Sequence, residues 1–420
     1  MIQTFFPAEG VCLRCFQDSR FKQSRLSIQL IRPMAREEAA LNALLPAVLL
    51  RGTENAPDLR DITLRLDDLY GAAVGTLVRR IGDLQTTGLT CSFIEDKFAL
   101  TGDKVFAPMV DLLRELLRQP ALEKGVFRAE YVESEKRNLI SALESERNDK
   151  RTYASLQLMR ATCQNDSYGI PRLGDKESVA AITAEGLYVH YQKILQESPI
   201  HLFYVGSHAP DEVASLVASL FEGLDRTVIS LPAQTAFAGG ESLFREEQLE
   251  VSQARLAMAY VSPITVRDPR FVAMQVCNTV FGSGMTSKLF MEVREKQSLC
   301  YEIGSGYHGS KGIMEVYAGV DTEKLEAVQA EAQRLLEDCR QGNITDAELE
   351  NAKQALISSL LTVHDSPGSI ERFYATAALS GLPLSPEEYR AQAESVTVSQ
   401  VMEAAASLQL QTVYFLKGVE

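Results

Sequence analysis

The sequence of 420 residues contains no tryptophan and five histidines. It has no apolar run close to the roughly 20 residues that a membrane-spanning helix needs. Its opening residues 1–10 carry neither the basic nor the apolar segment of a signal peptide. The seven cysteines are odd in number and scattered, which does not indicate a disulfide framework. We therefore expect a protein of the cytoplasm that does not associate with membranes.

The charge balance and the spacing of motifs argue against several classes of partner. With 42 Lys and Arg against 56 Asp and Glu, the net charge of −14 repels phosphate backbones, so we expect no nucleic-acid partner. No two histidines have the helical spacing of zinc ligands, and we expect no metal or cofactor. Cys12 and Cys15 form a single C-x-x-C, for which we expect a structural role. Residues 304–309 match G-x-G-x-x-G but precede a strand-like segment, so we expect a hairpin turn there.

The order of secondary structure is predicted to occur twice. Leu26, Ile28 and Leu30 alternate with polar residues, which indicates a half-buried strand, and helices are expected to follow it. Residues 225–246 have no sustained period and are predicted to be a linker, after which strands and helices recur. The predicted fold is α+β with two similar halves, 1–224 and 247–420. Each half is a mostly antiparallel sheet covered by helices, and the halves face each other across a cleft.

Residues 43–53, Ala-Leu-Leu-Pro-Ala-Val-Leu-Leu-Arg-Gly-Thr, resemble the zinc helix of the insulinase (pitrilysin) family of zinc peptidases. Active members carry H-x-x-E-H, in which two histidines one helical turn apart bind zinc and the glutamate is the general base. Here the three positions are Ala43, Pro46 and Ala47, which offer no ligand and no carboxylate. The family's third ligand lies on a helix similar to 131–146. It falls at Leu143 or Glu144, so the resemblance implies a degenerate zinc site.

The second half retains another family signature. Residues 281–290 are similar to the family's glycine-containing loop and the helix after it, and Arg294 to Tyr301, R-E-K-Q-S-L-C-Y, resembles R-E-x-x-x-L-x-Y. Residues 286–297 are predicted to be helical and 299–304 to form a strand. The resemblance implies that Arg294 and Tyr301 contact the carbonyl of a peptide substrate near the scissile bond.

The combined pattern implies a pseudoenzyme, inactive on its own. The first hypothesis is a substrate-binding subunit of a heterodimeric zinc metallopeptidase, in which a partner chain bearing H-x-x-E-H supplies the zinc. The alternative is a stand-alone or homodimeric scaffold that binds a peptide or an unfolded protein without cleaving it. An independent hydrolase is disfavoured because no replacement catalytic group is evident. The chain also resembles a bacterial subgroup, encoded in pairs, that shares residues 66–72 and is in some cases named for modification of elongation factor P.

Overall fold

A computed structural model describes residues 2–251 and 253–418, which form two compact units. The first unit comprises the chain up to Leu143, Ile170–Ala233 and His364–Thr376. The second comprises Glu144–Gly169, Gln234–Val363 and the chain from Ala377 onwards. Each unit therefore includes a helical segment from the other half of the sequence. The domain division at 225–246 stays a prediction, although residues 225–242 contain neither helix nor strand.

The strands form two large sheets and one short hairpin. The first sheet has the order β1-β2-β8-β3-β5-β4, and in it β2 and β8 are parallel. The second has the order β11-β12-β10-β13-β9, and in it β13 and β9 are parallel. The strands are β1 Ile2–Ala8, β2 Val11–Gln17, β3 Gln23–Pro33, β4 Ala73–Ile81, β5 Leu84–Ile94, β6 Leu122–Glu123, β7 Val126–Phe127, β8 Ile200–Gly206, β9 Leu243–Leu249, β10 Ala254–Val261, β11 Glu302–His308, β12 Ile313–Val320 and β13 Gln409–Gly418.

The helices cover these sheets, and a π-helix, Leu289–Lys296, lies before β11. None of the described helices is both long and apolar enough to cross a membrane. The α-helices are α1 Arg36–Leu49, α2 Leu59–Asp68, α3 Phe106–Arg118, α4 Ala129–Asn148, α5 Lys150–Thr162, α6 Lys176–Ala180, α7 Ala184–Glu197, α8 Pro210–Ala218, α9 Phe271–Phe281, α10 Leu325–Gln341, α11 Asp346–Leu361, α12 Pro367–Ser380, α13 Pro386–Ser395 and α14 Val398–Ala406.

The two faces of β3 are buried in different ways. Leu26, Ile28 and Leu30 point into the core of the first unit, as their alternation predicted. Ser27 and Gln29 alternate with them but are also fully buried, because they hydrogen-bond to Glu371 on α12. The expectation of a half-buried strand was therefore wrong, since a helix from late in the sequence covers the second face.

Glu371 is the centre of a buried ionic cluster in the first unit. Its side chain has no exposed surface and accepts two hydrogen bonds from Arg79, at 2.9 and 2.8 Å. Gln29 and Ser27 donate to it at 2.9 and 3.0 Å. A buried carboxylate is tolerated only when its oxygens are satisfied in this way. The cluster therefore fixes the beginning of α12 on the first sheet.

The corresponding contact in the second unit includes an apolar core. Helix α5 packs on β10 and β13 through a core cluster that contains Leu158, Met159, Ala257 and Leu416. Burial of such side chains stabilises by about 1.5–3 kcal/mol each. Helix α5 is held by this packing together with polar contacts to the same sheet, such as the hydrogen bonds from Tyr153 to Glu247 at 2.7 Å and from Ser155 to Glu315 at 3.0 Å.

We predict that Glu371→Gln destabilises the protein by about 3 kcal/mol, because the half-buried Arg79 would lose its counter-charge. Urea unfolding followed by circular dichroism measures this loss. The same change at the exposed Glu326 is the control and should stay within about 0.5 kcal/mol of the wild type. Equal stability of the two variants would contradict the role assigned to Glu371.

Candidate functional site

The degenerate zinc positions lie together on α1. Ala43 and Pro46 are buried, and Ala47 is half-buried. Neither alanine nor proline has a side-chain lone pair for zinc, and none of the three can act as a general base. Within residues 2–251 and 253–418 no group of three or more His, Cys, Asp or Glu side chains is placed to hold a metal ion. The residues present therefore do not fit the zinc of the active family members.

Pro46 lies inside α1, where proline normally breaks the helix because it lacks an N–H donor. The carbonyl of Asn42, four residues earlier, would be left without its helical partner. The hydroxyl of Thr87 on β5 donates to this carbonyl at 2.5 Å. The sheet thus supplies the hydrogen bond that the helix has lost, and α1 continues to Leu49.

A network of buried hydrogen bonds also connects α1 to α7 and to β5. His190 on α7 lies with its Nε2 2.7 Å from Asn42 Oδ1, and the amide nitrogen of Asn42 donates to Gln85 Oε1 at 2.8 Å. Gln85 in turn donates to the carbonyls of Ala39 and Arg172, at 3.1 and 2.7 Å. Every link pairs a donor with an acceptor, so the buried network is stabilising and specifies the position of α1.

The helix that corresponds to the family's third ligand is α4. Arg51, just after α1, pairs with Glu135 of α4 at 3.2 Å and lies 4.9 Å from the ring centre of Tyr131. Leu143 packs against the first core, and Glu144 is exposed. An exposed carboxylate next to a packed leucine provides a single ligating side chain, which does not make a zinc site.

The segment that carries Arg294 is a π-helix and not the α-helix expected from the sequence. Gln297 N–H donates to Glu292 O five residues earlier, and Leu299 N–H to Val293 O six residues earlier. Ser298 between them has φ +51°, a left-handed conformation that is uncommon for a side chain other than glycine. The widened helix and the left-handed residue turn the chain back on itself. π-helical segments often occur at functional sites.

This turn brings Arg294 and Tyr301 to the same pocket, of about 470 Å³. The Arg294 side chain keeps 41% of its surface exposed, and Tyr301 keeps 61%. Tyr301 lies one residue before β11, so the predicted strand 299–304 begins later than expected. Both side chains that the sequence singled out therefore face solvent at one concave surface of the second unit.

Arg294 and Tyr301 make only long polar contacts with their neighbours in this pocket. The guanidinium of Arg294 lies 4.6 Å from the ring centre of Phe290, and its ionic neighbour Glu295 is 3.8 Å away. The Tyr301 hydroxyl is 3.3 Å from Asp321, which also pairs with Lys324 at 3.2 Å. Lys324 lines the pocket and was missed in the sequence, because nothing in its local pattern links it to a residue more than twenty positions earlier.

Cys300 also lines this pocket, but its chemistry is not that of a nucleophile. Burial raises the pKa of its thiol to about 11, although Arg294 and Lys324 act in the opposite direction. The thiol is therefore protonated at neutral pH, and the thiolate is the reactive form. The pocket offers hydrogen-bond donors and positive charge, and it can bind and orient a carbonyl or carboxylate oxygen.

The other motifs have structural roles. Cys12 and Cys15 lie in β2, and all seven cysteines are buried and free. Gly304 and Gly306 lie within β11, so the hairpin turn expected at 304–309 begins only at Gly309. A Cβ at Gly304 would come within 2.5 Å of the Tyr317 hydroxyl, which explains glycine at that position.

We predict that Thr87→Val costs about 1.5 kcal/mol of stability, since the Asn42 carbonyl loses its partner. In a Pro46→Ala background the same change should cost about 0.5 kcal/mol or less, because the restored N–H can bond to Asn42. Denaturant unfolding of the four proteins gives the double-mutant cycle. Thr86→Val is the matched control, because Thr86 is equally buried and its hydroxyl has no partner among the described residues. If the effects of Thr87→Val and Pro46→Ala on the unfolding free energy simply add, the Thr87 hydroxyl does not compensate for the missing N–H of Pro46.

A second prediction concerns pH. Burial lowers the pKa of His190 and of His201 to about 4, from an ordinary 6.5. As the pH falls from 6.5 to 4, these histidines become protonated in the unfolded chain but stay neutral in the folded chain, so the free energy of unfolding decreases. Between about pH 7.5 and about pH 5, His190→Gln should lose about 2 kcal/mol less unfolding free energy than the wild type. Parallel pH profiles of the two proteins would refute this assignment.

Comparison with known proteins agrees with these features. Residues 181–356 match the family described as "Peptidase M16 inactive domain". The chain is 29% identical over 411 residues to the "Probable inactive metalloprotease YmfF" of Bacillus subtilis (strain 168), which covers 98% of this chain and 96% of that protein. The crystal structure of a conserved protein from Enterococcus faecalis V583 has a TM-score of 0.93 at 30% identity and covers 100% of this chain and 99% of that one.

The fold is also that of a more distant structure, the peptidase M16 inactive domain from Pseudomonas fluorescens. Its TM-score is 0.82 at 20% identity, with 100% of this chain and 98% of that chain covered. The α+β architecture of two similar halves is thus the architecture of these structures. With alanine and proline at its zinc positions, the chain belongs to the insulinase (M16) family of peptidases as a non-catalytic, peptidase-like member.

Proposed function

We propose that this protein is the non-catalytic, substrate-binding subunit of a heterodimeric zinc metallopeptidase. The observation that carries the proposal is the pocket at which Arg294 and Tyr301 lie together, both exposed, in a chain whose zinc positions are Ala43, Pro46 and Ala47. The partner is an insulinase-family chain that bears H-x-x-E-H. It supplies the zinc-bound water and the general base, while this chain holds the substrate.

The proposed substrate is a peptide or an unfolded protein, held by its backbone. Arg294 has no hydrogen-bond partner among the described residues, so its guanidinium is free to donate to a peptide carbonyl. The Tyr301 hydroxyl is held at 3.3 Å by Asp321, a long hydrogen bond that a substrate oxygen can replace. Donors aimed at a carbonyl oxygen stabilise the negative charge that develops on it during cleavage.

We further propose that the protein acts in the cytoplasm. Its seven cysteines are all free and buried, which suits a reducing compartment. The acidic net charge of −14 argues against nucleic acid and against anionic membrane surfaces as partners.

The decisive experiment measures cleavage of a peptide library by this chain, by an H-x-x-E-H relative from the same genome, and by the mixture. We expect efficient cleavage only in the mixture, with Arg294→Ala lowering kcat/KM about a hundredfold and Tyr301→Phe about tenfold. Lys296→Ala is the matched control, because it removes an exposed cation two residues away that pairs with Glu292 at 2.6 Å.

Two results would count against the proposal. If the relative cleaves equally well without this chain, the chain is not its subunit. If no mixture cleaves and this chain alone forms a dimer that binds peptides, the homodimeric scaffold is the better description. Size-exclusion chromatography with light scattering separates the two assemblies.

A further inference from the structure

A second pocket, of about 620 Å³, lies in the first unit and is separate from the Arg294 pocket. Its walls come from the beginning of β3, the end of β5 and the first turn of α12. Phe21, Ile94 and Pro367 give it an apolar surface. Its volume is that of a site for a small molecule or for a few residues of a peptide.

Two cations, Arg25 and Lys22, line this pocket together with the polar residues Gln23, Ser24 and Ser92. The buried Nε of Arg25 has no hydrogen-bond partner among the described residues. Its nearest carboxylate is Glu371, at 3.9 Å, too far for a hydrogen bond. The oxygens of that carboxylate already accept from Arg79, Gln29 and Ser27. Arg25 and Arg79 therefore share one carboxylate, which leaves this group of three side chains with one more positive than negative charge.

Lys22 adds to the same excess of charge. It is exposed and has no ion-pair partner within the described part of the chain. Among the described residues, Glu371 is the carboxylate that pairs with Arg25, and it is shared with Arg79. Gly368 lies beside Arg25, and a Cβ there would be in ordinary van der Waals contact with the arginine side chain, at 3.9 Å. The pocket thus combines an apolar wall with Lys22 and with Arg25, whose carboxylate neighbour Glu371 is shared with Arg79.

We propose that this pocket binds a carboxylate carried by an apolar group, and specifically the C-terminal residue of a peptide. The carboxylate would pair with Arg25 and Lys22, and the apolar side chain would lie against Phe21 and Ile94. Charge-assisted hydrogen bonds to a partly buried arginine are among the stronger polar contacts in proteins. The pocket would select peptides that end in a free carboxylate, which is independent of how Arg294 and Tyr301 act.

The test is fluorescence anisotropy with an N-terminally labelled alanine peptide that ends in leucine, as the free acid and as the amide. We expect the amide to bind at least about tenfold more weakly. Arg25→Met should weaken the acid by a similar factor and leave the amide unchanged. Arg36→Met, a change at an exposed arginine outside the pocket, is the matched control and should alter neither.

Gly368→Leu provides a second variant that keeps the ionic cluster. The added side chain should fill the pocket and abolish acid-specific binding while the melting temperature is retained. Octanoate is an apolar carboxylate that is not a peptide, so it tests whether the carboxylate bound by the pocket comes from a peptide C-terminus or from another apolar acid. If octanoate binds in an Arg25-dependent manner and the peptide acid does not, the peptide occupant is wrong. Equal binding of acid and amide, or full binding by Arg25→Met, would overturn the site itself.

Discussion

The buried carboxylate of Glu371 is the constraint on which much of the first unit depends. It lies on α12, a helix late in the sequence, and it satisfies Ser27, Gln29 and Arg79 on the strands of the first sheet. Without it Ser27 and Gln29 would lose this partner inside the core and the half-buried Arg79 would lose its counter-charge, at a cost of several kcal/mol. The same carboxylate lies 3.9 Å from Arg25, so two arginines share one negative charge beside the second pocket. The cluster that holds α12 on the sheet thus also sets the charge at the wall of that pocket.

Helix α1, which carries the degenerate zinc positions, has a structural role and no catalytic groups. Ala43 and Pro46 are buried, and the helix that holds them is tied to the sheet by Thr87, Asn42 and the chain that ends at His190. Proline in a helix interior costs about 3 kcal/mol when nothing compensates for it. Here a side-chain hydroxyl replaces the missing donor. The helix keeps its place in the fold although its catalytic groups are gone.

The sequence predicted the α+β class, the two similar halves and most of the long elements, because these depend on local periodicity. It predicted Arg294 and Tyr301 only through family resemblance. It did not predict the exchange of helical segments between the units, since a helix carries no local sign of the sheet that it will cover. The π-helix at Leu289–Lys296 was missed for a related reason. Its apolar spacing fits an α-helix equally well, and the left-handed Ser298 has no signal of its own.

The pocket of Arg294 and Tyr301 is formed by a backbone conformation that costs free energy. A π-helix has poorer hydrogen bonding than an α-helix, and a left-handed serine costs on the order of 1 kcal/mol. The π-helix covers part of the sheet itself, since it packs against β11 beside α9 and buries Leu289 and Val293. Strain of this kind persists where the surrounding structure fixes it, and it clusters at functional sites. The turn sets an arginine with unused donors and an exposed tyrosine at one pocket. The strained turn and the two exposed side chains therefore occur in one short segment, and this coincidence is the basis of the proposed role in holding substrate.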